Sequence, residues 1–390
     1  MPNAEWLSGV RLMLAVLLAV TTVHARRTTQ PDLRQDRAAF PIQADGAHAR
    51  VSQRWTLRRA DNSGLGLITS LVRCADTFYL TDNEYRIYRF DSRHQTAVHE
   101  FVSDPSTLGL PRALAADCER HKLYVITAGS KMAAIVDMNS GTIETRHRLP
   151  HNLSLPQRAY LVGSDTLYVS GVFNQTAIAS PLRTLQADSF FESLHLGLRI
   201  SLTTGAIDPL FQPYETRCTA AGECFGSSFD RLSASGAQWV VAQSISSRIA
   251  LYGAAGQLRS THSTASPRFV RDGTELPLRS TTAAQVEWTN HNSTIRSVFG
   301  VGGLIVAVHA TFEGGFDRPE NAPIARPFMN IHDPDGLPLT SDISLSNLPV
   351  GRDDANLYVV GRAEDRRGPG KVEQSLMQIP VKRGRQSISK

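Results

Sequence analysis

The chain has 390 residues, of which 41% are hydrophobic and 20% charged. That balance excludes wholesale disorder and leaves material for a large core. The net charge of +5 is mild, and Lys and Arg are scattered without basic runs or interleaved aromatics, which argues against nucleic-acid binding.

In chain order, Arg11 precedes an apolar run from Leu12 to Val20, and small residues follow at Val23 to Ala25. This pattern predicts a secretory leader, residues 1–25, cut near Ala25. The run is shorter than the roughly 20 apolar residues a membrane span needs, and no later stretch is longer. The mature chain is therefore expected to be secreted or periplasmic, monomeric and without a transmembrane span. Residues 26–50 are polar and read as a flexible lead-in, and 382–390 as a basic C-terminal tail.

From Val51 to Val381 the texture is one of short apolar or alternating runs separated by Gly, Asp, Asn, Ser and Pro, as in many short strands joined by turns. One apolar strand recurs, as "FYLTD" at Phe78, "LYVITAG" at Leu123, "LYVSG" at Leu167, "WVVAQ" at Trp239, "LIVAVHA" at Leu304 and "LYVVG" at Leu357. The first two intervals fall in the roughly 40 to 50 residues of a propeller repeat. The later intervals require insertions, at 172–194, 213–226, 266–293 and 311–325. Turn sequences also recur, as "FDSRHQ" at 90–95, "DMNSG" at 137–141, "LTTG" at 202–205, "YGAAG" at 252–256 and "HDPDG" at 332–336. These six copies predict an all-β, six-bladed propeller of four-stranded blades. The alternating segment 51–59 should close the ring by pairing with 375–381, because an unpaired edge promotes aggregation. A seven-bladed ring and a pair of β-sandwiches are the competing architectures.

The four cysteines are Cys74, Cys118, Cys218 and Cys224. An even number in an exported chain favours pairing. Cys218 and Cys224 bracket a short loop containing Gly222 and are the expected bridge. Cys74 and Cys118 would pair if their segments are neighbours, or else remain buried thiols. No C-x-x-C pair or nearby histidine suggests a metal, and neither a metal nor a cofactor is expected.

The phrases "TDNEYRIYRFD" (81–91) and "LYVITAGSKMAAIVDMNSGTIE" (123–144) resemble blades of the NHL-like and TolB-like six-bladed propeller superfamily over nearly all of the mature chain. That superfamily contains binding modules, scaffolds, hydrolases and lyases, so the resemblance implies a fold and leaves the activity open. A calcium-dependent lactonase-like member would place carboxylates and amides where the innermost strands begin. Counting back nine residues from the markers gives Thr69, Arg158, Asp230 and Leu348, and similar contexts add Arg112 and Arg296. One carboxylate among three arginines disfavours a divalent cation and a general base. The favoured reading is a binding or protein-interaction module in which Arg112, Arg158 and Arg296 line a cationic funnel for an anionic small molecule or an unknown protein. Alternatively each arginine pairs locally, with Asp117, Asp165 or Asp230. The second functional reading is a hydrolase or lyase acting on a sugar or lactone, with Asp230, Glu287 and His291 as acid and base.

Overall fold

The computed structural model describes residues 48–382 except 60–64, 95–97, 103–107, 129–130, 151–152, 155, 175–193, 215–226, 234–235, 245, 265, 271–290, 314–323 and 364–372. The leader, most of the lead-in and tail, Glu287 and the expected Cys218–Cys224 bridge lie outside the described residues.

The first strand, β1 (Gln53–Leu57), belongs to the last blade. Blade 1 follows with β2 (Ile68–Cys74), β3 (Thr77–Asp82), β4 (Ile87–Asp91) and β5 (His99–Glu100), and blade 2 with β6 (Pro111–Asp117), β7 (Lys122–Thr127), β8 (Met132–Asp137) and β9 (Ile143–Arg148). Blade 3 has a split innermost strand, β10 (Leu153–Ser154) and β11 (Ala159–Val162), then β12 (Thr166–Asn174), β13 (Leu194–Ser201) and β14 (Ile207–Leu210). Blade 4 comprises β15 (Ser227–Arg231), β16 (Gln238–Gln243), β17 (Arg248–Gly253) and β18 (Leu258–Ser263). Blade 5 comprises β19 (Thr294–Val301), β20 (Leu304–Glu313), β21 (Ile324–His332) and β22 (Pro338–Ser344). Blade 6 has β23 (Pro349–Arg352), β24 (Asn356–Ala363) and β25 (Glu373–Pro380), completed by β1. All pairings within blades are antiparallel, and the innermost strands touch in ring order from β2 round to β23, except that blade 3 meets β15 through its second strand β12.

The six recurrent apolar markers are the second strands of the six blades, and Phe78, Leu123, Leu167, Trp239, Leu304 and Leu357 are all buried. The core lies between the blades. Blade faces alternate side chains, and each face packs on its neighbour, as where Phe299 and Val306 of blade 5 meet Leu357 and Val359 of blade 6. The ring closes as expected: Gln53 pairs with Gln378 and Leu57 with Gln374. Trp55 of β1 is buried edge-on against Phe78 of blade 1, with ring centroids 5.3 Å apart. The recurrent turns also fall between third and fourth strands. At Gly141 φ is +73° and a Cβ would sit 2.3 Å from the Phe101 carbonyl oxygen, so the turn requires glycine.

A disulfide joins Cys74, at the end of β2, to Cys118, just after β6. Both innermost strands end on the same face, which brings the two Cα atoms to 5.5 Å. Blade 1 is tied on its other side by Arg73, whose Nη1 donates to Asp353 Oδ2 (3.1 Å) and to the Tyr358 hydroxyl (2.6 Å) of blade 6. Among the described residues no helix is long and apolar enough to cross a membrane.

Candidate functional site

The antiparallel order fixes the two faces of the ring. The mouth is the face on which innermost strands begin, and it also carries every connection from second to third strands and from one blade to the next. The described residues that flank 175–193, 215–226, 271–290, 314–323 and 364–372 all stand at the mouth. The opposite face carries only short hairpins.

Near the mouth the innermost strands share a local feature. Their pairing with the second strand slips by one residue between Ile68 and Ser70, Pro111 and Ala113, Ile295 and Ser297, and Pro349 and Gly351. Each slip is a β-bulge, which leaves one residue out of the ladder and re-aims its side chain. The four bulge residues are Thr69, Arg112, Arg296 and Val350. In blade 3 the equivalent break is complete: the ladder stops after Ser154 and resumes at Ala159, and Arg158 sits in the gap, its backbone N–H donating to Ser170 Oγ at 2.8 Å. The three arginines singled out in the sequence therefore occupy one repeated position.

Arg112 and Arg158 do not bond Asp117 or Asp165. Asp117 caps its own turn by accepting from the Arg120 backbone (3.0 Å), and Asp165 accepts from Thr166 Oγ1 (3.1 Å). The guanidinium groups of Arg112 and Arg158 make no hydrogen bond or ion pair to a described residue. Arg158 instead crosses the axis and stacks on Phe299 of blade 5, with its guanidinium carbon 4.2 Å from the ring centroid. Burial lowers its pKa, opposed by nearby Tyr160 and Asp230 and reinforced by Arg352.

Asp230 is at the other end of the channel from its expected place. Its partner in the ladder is Val240, one residue from the end of β15. The hairpin between β15 and β16 is longer than the two-residue hairpin of blade 1, so a count of nine back from the marker stops short of the mouth. There Asp230 is completely buried and bonded to Arg352, which reaches across from blade 6 with Nε to Oδ2 at 2.9 Å and Nη2 to Oδ1 at 2.8 Å. The Arg231 backbone N–H (2.7 Å) and the Gly300 N–H (2.9 Å) supply two further donors. Gly300 is required for this approach, since a Cβ would lie 2.2 Å from the Arg231 carbonyl oxygen. Four donors fill the roughly four lone-pair sites of a carboxylate, so Asp230 has no free site with which to take a proton from a substrate. Burial opposes the charge on Arg352, but the charge and hydrogen bonds of Asp230 outweigh it and raise the guanidinium pKa.

The same layer contains Tyr160, from β11. Its ring lies 6.0 Å from the Arg352 guanidinium, on the opposite side of the ring, and 5.8 Å from Phe229. Its hydroxyl is buried and has no hydrogen-bond partner. Arg158, Tyr160, Asp230, Phe299 and Arg352 thus meet from four different blades. Arg352, Tyr160 and Phe299 were not anticipated from the sequence. Arg352 was the accessible one, because it stands beside the hairpin of its blade as Asp230 does.

Of the remaining expected residues, His291 is exposed just before β19, and Thr69 bonds Thr81 Oγ1 within blade 1 (3.1 Å). Leu348 packs into the core between blades 5 and 6. Among the described residues no three His, Cys, Asp or Glu side chains gather as a metal site requires.

A second cleft, of about 320 Å³, lies at the mouth-side rim of blade 5 and is lined by Arg268, Arg326, Phe328 and Asp342. Beneath it Ser266 Oγ is 3.3 Å from His309 Nε2 and donates to Asp342 Oδ1. The grouping has the residue types of a nucleophile triad but the opposite polarity. Asn330 Oδ1 accepts from the Asp342 N–H at 2.8 Å, which turns its Nδ2 towards His309 Nδ1 at 3.3 Å. Assigned from this network, His309 carries its proton on Nε2 and cannot accept one from Ser266. The cluster is a satisfied buried network that holds the blade 4 to blade 5 connection.

No protein-family profile matches the chain, and no curated protein sequence matches it. Solved structures do. A DUF4221-family protein of Bacteroides vulgatus superposes with a TM-score of 0.62 at 12% identity, covering 87% of this chain and 99% of its own. A Bacteroides fragilis protein named as exported superposes with a TM-score of 0.52 at 10% identity, covering 87% and 97%. A gluconolactonase of Xanthomonas campestris reaches only 0.47 at 13% identity, over 88% and 99%, and carries no argument. At such identities the likeness shows the fold alone, and that fold is a six-bladed β-propeller.

Proposed function

We propose that this chain is an exported, ring-shaped binding module whose mouth takes an anionic ligand or partner without catalysing a reaction on it. The observation that carries the reading is the charge on the axis: Arg112 and Arg158 stand at one repeated position with no carboxylate partner among the described residues, and Arg296 occupies the same position in blade 5. Guanidinium groups so placed recognise carboxylate or phosphate through charge-assisted, often bidentate hydrogen bonds. Chain insertions on one face of a rigid ring supply further contact surface. Export is supported by the leader pattern at Leu12 to Ala25 and by the Cys74–Cys118 bridge, a type of bond that persists in oxidising compartments. Membership of the NHL-like or TolB-like superfamily is part of this proposal and rests on the blade phrases at 81–91 and 123–144. Against the hydrolase reading stands the saturation of Asp230 by four donors, which leaves it no free site for acid-base work, while Glu287 lies outside the described residues.

Calorimetric titration with citrate at low salt tests the proposal. The wild-type protein should bind citrate with an affinity that weakens as salt rises. The double variant Arg112→Gln/Arg296→Gln should bind at least tenfold more weakly, about 1.4 kcal/mol, with little change in melting temperature. An unchanged affinity in the folded double variant would return these arginines to a structural role.

A further inference from the structure

Three separate segments converge on the cleft at the rim of blade 5. The connection from blade 4 contributes Arg268, the mouth ends of β21 and β22 contribute Arg326, Phe328, Asp342 and Ser344, and the lead-in contributes His48. His48 is seated by a parallel bridge to Ser344, and the Ala49 N–H donates to the Ser344 carbonyl oxygen at 3.0 Å. At about 320 Å³ the cavity is at the small end of those that enclose small molecules. It is built on third and fourth strands, away from the innermost strands that carry Arg112 and Arg158.

Its lining has two characters. Three basic side chains, His48, Arg268 and Arg326, stand exposed around it. The one carboxylate in the lining, Asp342, is buried, with Oδ1 accepting from Ser266 Oγ and lying 3.8 Å from His309 Nε2. Between the charges the wall is apolar, formed by Ala325, Pro327, Phe328 and Leu345. Guanidinium groups over an apolar wall suit an acid with an apolar body: charge-assisted hydrogen bonds fix the carboxylate, and the wall takes the body out of water.

The position of Arg268 is built into the fold. Its guanidinium carbon stands 5.2 Å from the centroid of the Phe328 ring, and that ring stacks on His309 at 5.5 Å. A guanidinium laid on an aromatic face directs its N–H donors outward along its edge. Two residues earlier, Ser266 is pinned by Asp342 and His309, which anchors the connection that carries Arg268. Burial and, after it, the charge of Arg268 lower the His309 pKa to about 4, so the imidazole is neutral at neutral pH and the arginines carry the positive charge. A side chain ordered in advance loses less entropy when a ligand binds.

We infer that this cleft is a second ligand site, which binds a small monocarboxylic acid with a compact apolar body, its carboxylate held by Arg268 and Arg326 and its body set against Pro327, Phe328 and Leu345. A second acid group on the ligand would be driven towards Asp342 and the apolar wall, which selects one carboxylate over two. The site shares no residue with the arginine row at the mouth, so the inference is independent of whether the mouth holds an anion.

Titration of the mature protein with benzoate, followed by saturation-transfer NMR, tests it. Benzoate should bind, whereas acetate, which has the charge without the body, and benzamide, which has the body without the charge, should each bind at least tenfold more weakly. Terephthalate, with a second acid, should also be weaker. Arg268→Gln/Arg326→Gln should weaken benzoate at least tenfold and leave citrate binding unchanged, and Arg112→Gln/Arg296→Gln should do the reverse. Both cleft arginines are exposed, so the variant should melt close to the wild type; should it fail to fold, Arg326→Gln alone and the comparison of benzoate with benzamide on the wild type decide. No benzoate binding, equal binding of benzoate and benzamide, undiminished binding by the folded variant, or displacement of benzoate by citrate would each overturn the site. Loss of citrate binding alone would count against the mouth and not against the cleft.

Discussion

Replacing Asp230 by Asn probes the contact that holds three blades to one point. The substitution keeps size and shape but removes the charge that opposes Arg352. It also replaces one carboxylate oxygen by an NH2 group, and both oxygens are in use: Oδ1 by Arg352 Nη2 and the Arg231 N–H, Oδ2 by Arg352 Nε and the Gly300 N–H. Whichever way the amide turns, one backbone N–H and one guanidinium arm meet a donor. Asp230 is fully buried, so solvent does not make up the loss. Breaking a buried ion pair from one side costs about 3 to 5 kcal/mol. With an unfolding entropy of about 2.1 cal/mol/K per residue, a ring of this length has roughly 0.7 kcal/mol/K, so the melting temperature should fall by about 4 to 7 °C. Thermal unfolding followed by circular dichroism measures the shift. Combining Asp230→Asn with Arg352→Met should cost less than the two single changes added together, because the second removes the stranded charge. A single variant melting within about 1 °C of the wild type would refute the reasoning.

The Cys74–Cys118 bridge has a sequence separation of 44, so Cys74→Ala/Cys118→Ala should lose about 4 kcal/mol in urea unfolding if chain entropy governs its effect. His309 and His332 are buried, and burial lowers both pKa values from 6.5 to about 4. Because the unfolded chain binds these protons first, stability should be complete above about pH 6.5 and fall as pH drops towards 4, by about 3 kcal/mol for each histidine. His309→Gln should flatten the pH dependence of unfolding in that window by close to one proton. Trp55→Ala should cost about 3 to 5 kcal/mol through loss of packing at the ring closure, whereas Trp55→Phe should cost much less because the indole N–H has no partner to lose. Urea midpoints of the two variants distinguish a packing role from a polar one.

The architecture was legible because its signals are local. Apolar second strands such as Leu123 to Thr127, turn sequences such as Asp137 to Gly141, and an alternating N-terminal strand each state their own conformation. Arg158 was picked out by its distance from its marker and Arg112 and Arg296 by similar sequence contexts, because their distances from the markers differ with the hairpins. Asp230 was misplaced because the distance assumes a constant hairpin, and the one after Arg231 is longer than that after Cys74. The cluster around Arg352 was hidden more deeply. Arg352, Tyr160 and Phe299 come from three blades, and only closure of the ring makes them neighbours. The bridge between Cys74 and Cys118 was undecided until β2 and β6 were adjacent, although both cysteines stand at the same end of an innermost strand.

The proposed function requires the propeller axis to be a cationic site that holds an anion. Anomalous diffraction from crystals grown in bromide tests it most directly. A bromide peak is expected on the axis beside the Arg112 or Arg158 guanidinium, with the Asp230–Arg352 pair intact. Bromide peaks confined to the outer surface, with Arg158 paired to a carboxylate of the chain, would contradict it.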